Sequence, residues 1–586
     1  MGTRRFTGST TVDEVIRCDA MLTRVLQTHG IDTCCGGGRT LGEATAEQGV
    51  ELNALLEALH TSGTPGVVQP QSPPAAQPTG RLQSPTRYLR FLVASLLFAL
   101  TFGSALGACM LASMTLPWNL LHGLPLAAVK MAHAYAQVYG FATLFIMGVA
   151  YHVVARFKGT APAAPRLARA SFWLEVGGVL AVALGALAGA PFGGPAQVAG
   201  SMALLSAALV FLWTIDRTIA AGTTPVEPYE SYLRAGCAWF VVATGIGLVA
   251  ATTGKVTLQA AMWESALWGF IGSWLFGMSL RILPVFMGVA PSSSRGARRL
   301  FIGYQAAVAA WVMVALVEAW SVVTVARAFA GAALVATTMG LVLRIGVLGR
   351  RERSPADDGG YAKFIVVAYV WLLLALVFAP GWTAAAALHG AGAPALLFDF
   401  GRHAFTLGFL TQMIIGVATR IVPVFTGAPL WSRTARDATF GLLNAAVAAR
   451  ALQVVVELAG STAAWPYISL SGAFGLGAFA AFALNVFMTI RSRVAAPARA
   501  SATVAGAAPS ADALVADLLS IPGALDLLVA RGFRPLSNPA MRAAMAGTVT
   551  LRQACRIHGV DVEPLIAELR ALPLPSGRRE QGGRIA

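Results

Sequence analysis

Cysteine and histidine are the side chains of this sequence best suited to binding a metal. Cys34 and Cys35 are adjacent and stand before three glycines in the segment HGIDTCCGGGRTL. Neighbouring residues close a disulfide with difficulty, since its geometry needs alpha carbons about 4.4 to 6.8 Å apart. The glycines leave room for a bound group beside the backbone. We therefore expect the two thiols to bind iron or another group; the alternative is a glycine-rich connection with two incidental thiols.

Two pairs of histidines lie in the apolar central part of the chain. His133 and His403 each stand near the start of an apolar segment. On parallel helices two such imidazoles can approach one haem iron from opposite faces, whereas a single histidine is more often bonded to a carbonyl group or to water. The second pair precedes the same two segments and is the candidate for a second site with haem or copper. This pair is His122 and His389.

The composition places these residues in a membrane protein. Of 586 residues, 56% are hydrophobic and 12% are charged, with a mean hydropathy of +0.66, whereas a soluble chain carries about 25% charged residues. A bilayer core about 30 Å thick needs about 20 apolar residues in a helix, and twelve such segments occur. They begin near Tyr88, His133, Ala170, Gln197, Tyr232, Ser265, Leu300, Thr324, Tyr361, Gly401, Thr439 and Ile468.

The basic residues between these twelve predicted spans indicate their orientation. The net charge is +16, and the basic residues cluster after spans two, six, eight and ten, which is typical of membrane topology and not of a nucleic-acid site. By the positive-inside rule both termini face the cytoplasm, where thiols stay reduced. The clusters are Arg156, Lys158, Arg166 and Arg169; Arg295, Arg298 and Arg299; Arg350, Arg351 and Arg353; and Arg433 and Arg436.

One pattern occurs three times, at intervals of four spans. The copies align without a gap on a Gly-Phe pair, a second Gly, a His or Arg and a final Phe. Small residues recur in many membrane helices, but the equal intervals favour a true repeat. Three groups of four helices resemble, at the level of the fold alone, the central subunit of haem-copper oxidases. The copies are GFATLFIMGVAYHVVARF from Gly140, GFIGSWLFGMSLRILPVF from Gly269 and GFLTQMIIGVATRIVPVF from Gly408.

Two short helical modules flank the membrane part. TLGEATAEQGV in the first and TLRQACRIHGV in the second share Thr-Leu, Ala and Gly-Val at equal spacing, with apolar residues at helical intervals. The predicted fold is therefore all-α, with twelve transmembrane helices in three four-helix repeats and a small cytoplasmic module at each end. The predicted boundaries are 9–60 for the first module, 61–86 for a Pro/Ser/Gln-rich linker, 87–493 for the membrane domain, 494–510 for an Ala-rich linker, 511–573 for the second module and 574–586 for a basic tail.

Several of these segments resemble known families. HAYAQVYGF from His133, RILPVFMG from Arg281 and RHAFTLGFLTQMIIGVATR from Arg402 resemble the NnrS family of bacterial membrane proteins, which is associated with haem, copper and the response to nitric oxide. HGIDTCCGGGRTL is similar to the amino-terminal domain of ScdA-type iron-sulfur-cluster repair proteins, which are linked to nitrosative damage. The resemblances imply a multi-pass protein of the bacterial inner membrane with haem b as cofactor, copper as a second candidate, and iron at Cys34 and Cys35.

The NnrS resemblance adds one site candidate, and the repeat adds two more. Members of the family usually read His-Ala-His-Glu where this chain reads HAYA, so His133 is kept and Tyr135 stands at the second histidine as a cofactor-binding candidate. Arg281 and Arg420 occupy one position in two copies of the repeat. They are expected to anchor their helices, or to steady an anionic ligand such as a haem propionate.

Three functions are consistent with these residues. The first is a haem protein that binds nitric oxide between spans two and ten, in nitric oxide metabolism or nitrosative-stress resistance. The second is a nitric oxide reductase-like metalloenzyme with a cytoplasmic or membrane electron donor, although span six reads MWESALWGF without the histidine of a copper site. The third is a transporter of a small molecule or metal. Acidic residues are interpreted as sparse within the spans, so no proton relay is expected.

Overall fold

The computed structural model describes residues 86–495 apart from short gaps, together with parts of residues 6–62 and 509–572. The gaps in the long stretch are 223, 225, 288–293, 318–322, 350–359, 390–394 and 427–429. In the described residues the regular structure is helical, with one isolated bridge between Thr11 and Thr40. The chain divides into two compact units, one formed by residues 74–421 and 432–486 and the other by residues 1–73, 422–431 and 487–586. The all-α prediction is confirmed.

Twelve helices in the described part of the chain are long and apolar enough to cross a membrane, which confirms the predicted number. The shortest contains 21 residues, enough for a hydrocarbon core about 30 Å thick. Spans one to twelve are Leu89–Thr115, Leu126–Phe157, Pro165–Ala188, Gly193–Ala220, Pro228–Thr253, Leu258–Leu283, Gly296–Leu316, Val325–Ile345, Ala362–Leu388, Ala395–Pro423, Arg433–Ala459 and Thr462–Arg491.

Span five shows how local sequence sets these boundaries. It begins with a capping box, in which the carboxylate of Glu230 accepts the backbone N–H of Glu227 at 3.0 Å and Pro228 takes the first helical position. Proline suits this position because its missing N–H would have no partner there. The helix ends at Gly254, whose φ of 68° is left-handed and costs glycine little.

Spans two, six and ten each contain a π-helix at the same place in the repeat. The three π-helices are Ala136–Thr143, Ser265–Gly272 and Ala404–Thr411, and each starts four residues before the Gly of the repeated Gly-Phe pair. In spans two and ten a threonine hydroxyl donates to the carbonyl oxygen five residues earlier, at 2.9 Å in both; the donors are Thr143 and Thr411. The repeat therefore extends to backbone geometry, and single π turns of this kind often mark functional sites.

An aromatic contact also repeats, between the first and third helix of each four-helix group. The ring centroids lie 4.9, 5.0 and 5.1 Å apart, and the rings meet edge to face in all three groups, which is a favoured geometry. Equivalent positions can therefore be compared across the groups. The pairs are Phe91 with Phe172, Tyr232 with Phe301, and Phe364 with Phe440.

Each end module has a hydrophobic core of its own. Three backbone hydrogen bonds recur in matching places, which supports the predicted relation of the modules; the relation and the domain boundaries stay predictions. Burial in the second core, with the carboxylate of Asp561 nearby, raises the pKa of the Cys555 thiol and makes it a poor nucleophile. The matching bonds run from the N–H groups of Ile31, Leu41 and Val50 to the carbonyl groups of Leu26, Thr10 and Thr45, and from those of Phe533, Leu551 and Val560 to those of Leu528, Ala513 and Cys555.

Candidate functional site

His133 lies in the first third of span two and contacts span one. Its Nδ1 is 2.8 Å from the carbonyl oxygen of Gly103, within a further π-helix, Ala99–Ala105. A methyl group on Gly107 would stand 2.6 Å from both Cε1 and Nδ1 of the imidazole, so this glycine makes the room for the ring. Because a carbonyl oxygen only accepts, Nδ1 carries the proton. In the neutral ring the lone pair is then on Nε2.

On span ten, Nδ1 of His403 also contacts a backbone carbonyl oxygen, here one of its own helix. Its Nδ1 is 2.8 Å from the carbonyl oxygen of Asp399, one helical turn earlier. Nη2 of Arg450 lies 3.2 Å from the same Nδ1, but guanidinium groups only donate. The shorter contact therefore decides the proton position, and Nε2 is again the nitrogen with a free lone pair.

The carboxylate of Asp399 binds two polar side chains next to His403. It forms an ion pair with Arg450 and accepts a hydrogen bond of 2.9 Å from Nε2 of Gln453, both on span eleven. The side chains of His403 and Asp399 are 29% and 31% exposed, so the pair is accessible to a ligand. His133 interacts electrostatically with Asp399, Arg450 and His403. The structure therefore brings the two predicted histidines into one polar cluster.

A second ion pair lies beside this cluster. Nη2 of Arg402 donates to Oε1 of Glu264 at 2.6 Å, and Nε1 of Trp311 donates to Oε2 at 2.9 Å, so spans six, seven and ten are joined. Glu264 is only 5% exposed. The interpretation that acidic residues are sparse within the spans was wrong, since Glu175, Glu264 and Asp399 all lie inside spans. Glu264 was visible in MWESALWGF, and a lone Glu or Asp in an apolar segment is itself the signal for such a residue.

Tyr135, Glu264 and His403 occupy one position of the repeat, five residues before the repeated Gly. The hydroxyl of Tyr135 lies 3.3 Å from Sδ of Met262, and its ring packs edge to face on Trp263 at 5.3 Å. Tyr135 thus contacts span six, two residues after His133 in the chain.

Arg281 and Arg420 lie near the carboxyl ends of spans six and ten, whereas His403 lies near the start of span ten. Arg420 follows His403 by seventeen residues, or roughly 25 Å of helix at 1.5 Å per residue. Its guanidinium lies 5.2 Å from the ring centre of Tyr361. Arg281 lies 4.8 Å from the ring centre of Phe157 and 3.8 Å from Glu227. These contacts account for both arginines as helix anchors, without a ligand shared with His133 and His403.

The other predicted site residues are not brought to the histidine cluster. His122 and His389 are exposed in the segments before spans two and ten, and His122 has a positive φ of 47°. Cys34 and Cys35 lie outside the described residues. Within the described residues, no group of three or more His, Cys, Asp or Glu side chains could hold a metal ion.

Family comparisons agree with the architecture. The NnrS protein family model matches residues 89–493, more than half of the chain. The chain belongs to the NnrS family. The first module of this NnrS protein matches the ScdA_N domain at residues 8–62, and the second matches a domain of unknown function, DUF1858, at residues 511–566. The resemblances to the NnrS family and to the ScdA amino-terminal domain are thereby confirmed.

Among solved structures, the NnrS chain is similar to a haem-copper terminal oxidase whose dimer was determined by cryo-electron microscopy. The TM-score is 0.57 over 84% of this chain and 98% of the oxidase chain, at 12% sequence identity. At this identity the likeness shows the fold alone. None of the curated proteins matches the sequence.

The donor set fits haem, the cofactor that the NnrS resemblance implies. Histidines that bind a metal normally donate their second ring N–H to a carbonyl or carboxylate, which fixes the ring and its tautomer. His133 and His403 both have that partner, at Gly103 and at Asp399. They are the residues that would hold a haem iron in this NnrS protein, each through Nε2.

Proposed function

We propose that this NnrS protein binds haem b between spans two and ten and binds nitric oxide there, in nitric oxide metabolism or nitrosative-stress resistance. The observation that carries the proposal is the matched state of two imidazoles on different helices, each with Nδ1 on a backbone carbonyl oxygen at 2.8 Å. A single histidine is often bonded to a carbonyl group, but two that both keep Nε2 free within one polar cluster meet what two ligands of one iron need.

The surrounding residues have separate parts in this proposal. Asp399 orients His403 through its carbonyl group, and Arg450 and Gln453 hold the Asp399 carboxylate in turn. Arg402, held by Glu264, adds positive charge beside the site, where a propionate or other anion would be stabilised. Bound haem would supply the iron centre that takes nitric oxide.

A reductase-like activity is the second candidate, and the oxidase-like fold favours it. It requires an electron donor and further metal ligands, for which copper at His122 and His389 is the proposal. Consumption of nitric oxide by the purified protein with a chemical reductant separates turnover from binding.

Reduced-minus-oxidised absorption spectra of the full chain in detergent test the proposal. We expect a b-type haem spectrum that changes on addition of nitric oxide and weakens strongly in His133→Ala and in His403→Ala. His122→Ala and His389→Ala are the matched controls, because both side chains are exposed outside the histidine cluster, and should leave the haem band of that cluster intact. A colourless protein after expression with added haem would exclude the proposal and favour transport.

The amino-terminal thiols are proposed to hold iron or a nitrosyl group on the cytoplasmic side of the bacterial inner membrane. The proposal rests on the Cys34-Cys35 segment of the ScdA_N match. We expect the variant with both cysteines changed to serine to contain less iron and to bind less nitric oxide than the wild type. Equal values in the variant and the wild type would exclude this proposal.

A further inference from the structure

Glu175 is a carboxyl group within a predicted membrane span that has no hydrogen-bond partner among the described residues. It lies ten residues after the start of span three, Pro165–Ala188, which is roughly 15 Å along the helix and close to its middle. Its side chain is 0% exposed, and within the described part of the chain neither carboxyl oxygen has a hydrogen-bond partner. No charged side chain among the described residues acts on it electrostatically. An ionised carboxylate in such a place is very costly, so the group is a neutral acid at rest.

Packing alone does not require an acid at this position. Glu175 is the third residue after Phe172, and the aromatic contacts of the repeat make Tyr304 and Leu443 its equivalents in the other two groups. All three side chains are 0% exposed. Tyr304 donates its hydroxyl to the carbonyl oxygen of Trp268 at 2.6 Å, and Leu443 is apolar. Since the fold accepts leucine at one equivalent position, packing does not explain the carboxyl group of Glu175, and we look for a chemical role.

A second buried polar group that lacks a partner among the described residues lies on the π-helix of span two, which packs against span three. Tyr139, in the π-helix of span two, is 1% exposed, and its hydroxyl has no hydrogen-bond partner among the described residues. Tyr139 and Tyr151 both interact electrostatically with Glu175. The hydroxyl of Tyr151 bonds to Ser171 at 2.9 Å, one helical turn before Glu175, and the remaining titratable neighbour of Tyr151 is Cys237 on span five.

Three buried polar atoms on these two packed helices have no hydrogen-bond partner among the described residues, which indicates internal water. Buried polar groups are almost always satisfied, and ordered water serves those that protein atoms do not reach. The two oxygens of Glu175 and the hydroxyl of Tyr139 supply the two to four polar partners that an internal water needs. A neutral carboxyl beside water can pass its proton to that water and recover it later.

We propose that Glu175 and Tyr139 form a hydrated proton-binding site within the first four-helix group. The ligands are a proton and internal water, and the proton exchanges with the aqueous phase. The carboxyl O–H donates to water while the proton is bound. After its release, the hydroxyl of Tyr139 donates, through water, to the carboxylate. The site depends on the fold and not on haem, so its test is independent of the proposed function.

Infrared spectra of the full chain in detergent, compared between H2O and D2O, test the site. The carbonyl stretch of a neutral carboxylic acid is separate from that of a carboxylate and shifts when deuterium replaces its proton. We expect such a band in the wild type at neutral pH, since Glu230, Glu264 and Asp399 are ion-paired. The band should disappear in Glu175→Gln and Glu175→Leu, the second of which carries the residue of the third group.

Two control variants make the assignment specific. Tyr304→Phe changes the equivalent position of the second group and should keep the band unchanged. Tyr139→Phe should keep the band but shift it, because the bridging water loses one partner. Three results would overturn the proposal. The band could persist in Glu175→Gln, it could fail to shift in D2O, or its frequency could be the same in Tyr139→Phe as in the wild type.

Discussion

At the level of single residues, the position of His133 depends on the absence of a side chain at Gly107. A Cβ atom there would meet the imidazole at 2.6 Å, closer than real Cβ contacts come. Gly107→Ala should therefore push the ring from the carbonyl group of Gly103 without removing the histidine. We expect roughly 10- to 100-fold weaker haem binding, the usual cost of losing the second partner of a metal-bound histidine, measured by haem titration.

Gly177→Ala is the matched control for this change. Nothing lies within 4 Å of a Cβ atom at Gly177 in span three, and alanine favours a helix by up to about 1 kcal/mol over glycine. Haem binding should be unaffected in this variant. Equal haem binding in the Gly107→Ala and wild-type proteins would contradict the assignment of His133 as a ligand.

Sequence reasoning could find the histidines and part of their surroundings. His133 and His403 stand out because an imidazole in an apolar segment is rare. Asp399 was accessible too, since it precedes His403 by four residues and so shares its helix face. Arg450 was not, because it is 47 residues from His403 in the chain and only the packing of span eleven against span ten brings the two together.

At the level of helices, a buried ion pair joins the end of span two to the start of span five. Nζ of Lys158 lies 2.8 Å from Oε1 of Glu230, and both side chains are 2% exposed. Lys158→Met would leave the carboxylate buried without its counter-ion, which typically costs 3–5 kcal/mol. We expect a lower unfolding temperature by circular dichroism in detergent, with much of the loss recovered when Glu230→Gln is added.

The pair of Lys363 with Asp437 provides the comparison. It has a similar distance, 2.7 Å, but the side chains are 34% and 49% exposed. Exposed pairs contribute about 0–1 kcal/mol, so Lys363→Met should change the unfolding temperature little. Equal effects of the two lysine variants would show that the Lys158 pair is not buried in the detergent-solubilised protein.

The helices themselves were largely predictable, and their π turns were not. Apolar length and spacing gave the twelve spans, because a membrane helix is defined by its composition over about 20 residues. The π-helices depend on one additional residue within a continuous apolar segment, which leaves no mark on local composition. Only the alignment of the three copies, Gly140, Gly269 and Gly408, indicated that something structural recurs there.

At the level of the whole molecule, the distribution of basic residues predicts that both termini face the cytoplasm. A green fluorescent protein fused after Ala586 should fluoresce, and alkaline phosphatase fused at the same point should be inactive, because each reporter works on one side of the membrane only. Truncation and fusion after His122, in the segment between spans one and two, should give the reverse pair of results. Active phosphatase on the full-length chain would refute this orientation.

The three-group architecture of the membrane domain was readable from the sequence because the copies recur every four spans. The repeat did not predict the chemistry of individual positions, because equivalent positions carry different side chains. Tyr135, Glu264 and His403 are equivalent in the repeat yet bond to different partners, so chemistry inferred for one copy does not transfer to the next.

The π-helices also limit which mutations this chain can tolerate. His133 and His403 each precede the π-helix of their span, and loss of one residue there would rotate everything before it by about 100° around the helix axis. The imidazole of His133 would then leave the carbonyl group of Gly103 on span one, and His403 would leave Arg450 on span eleven. Substitutions can accumulate in these segments one at a time, but the deletion of a single codon would displace the histidine in one step. We therefore expect the number of residues in these three segments to change less than the residues themselves as the gene evolves.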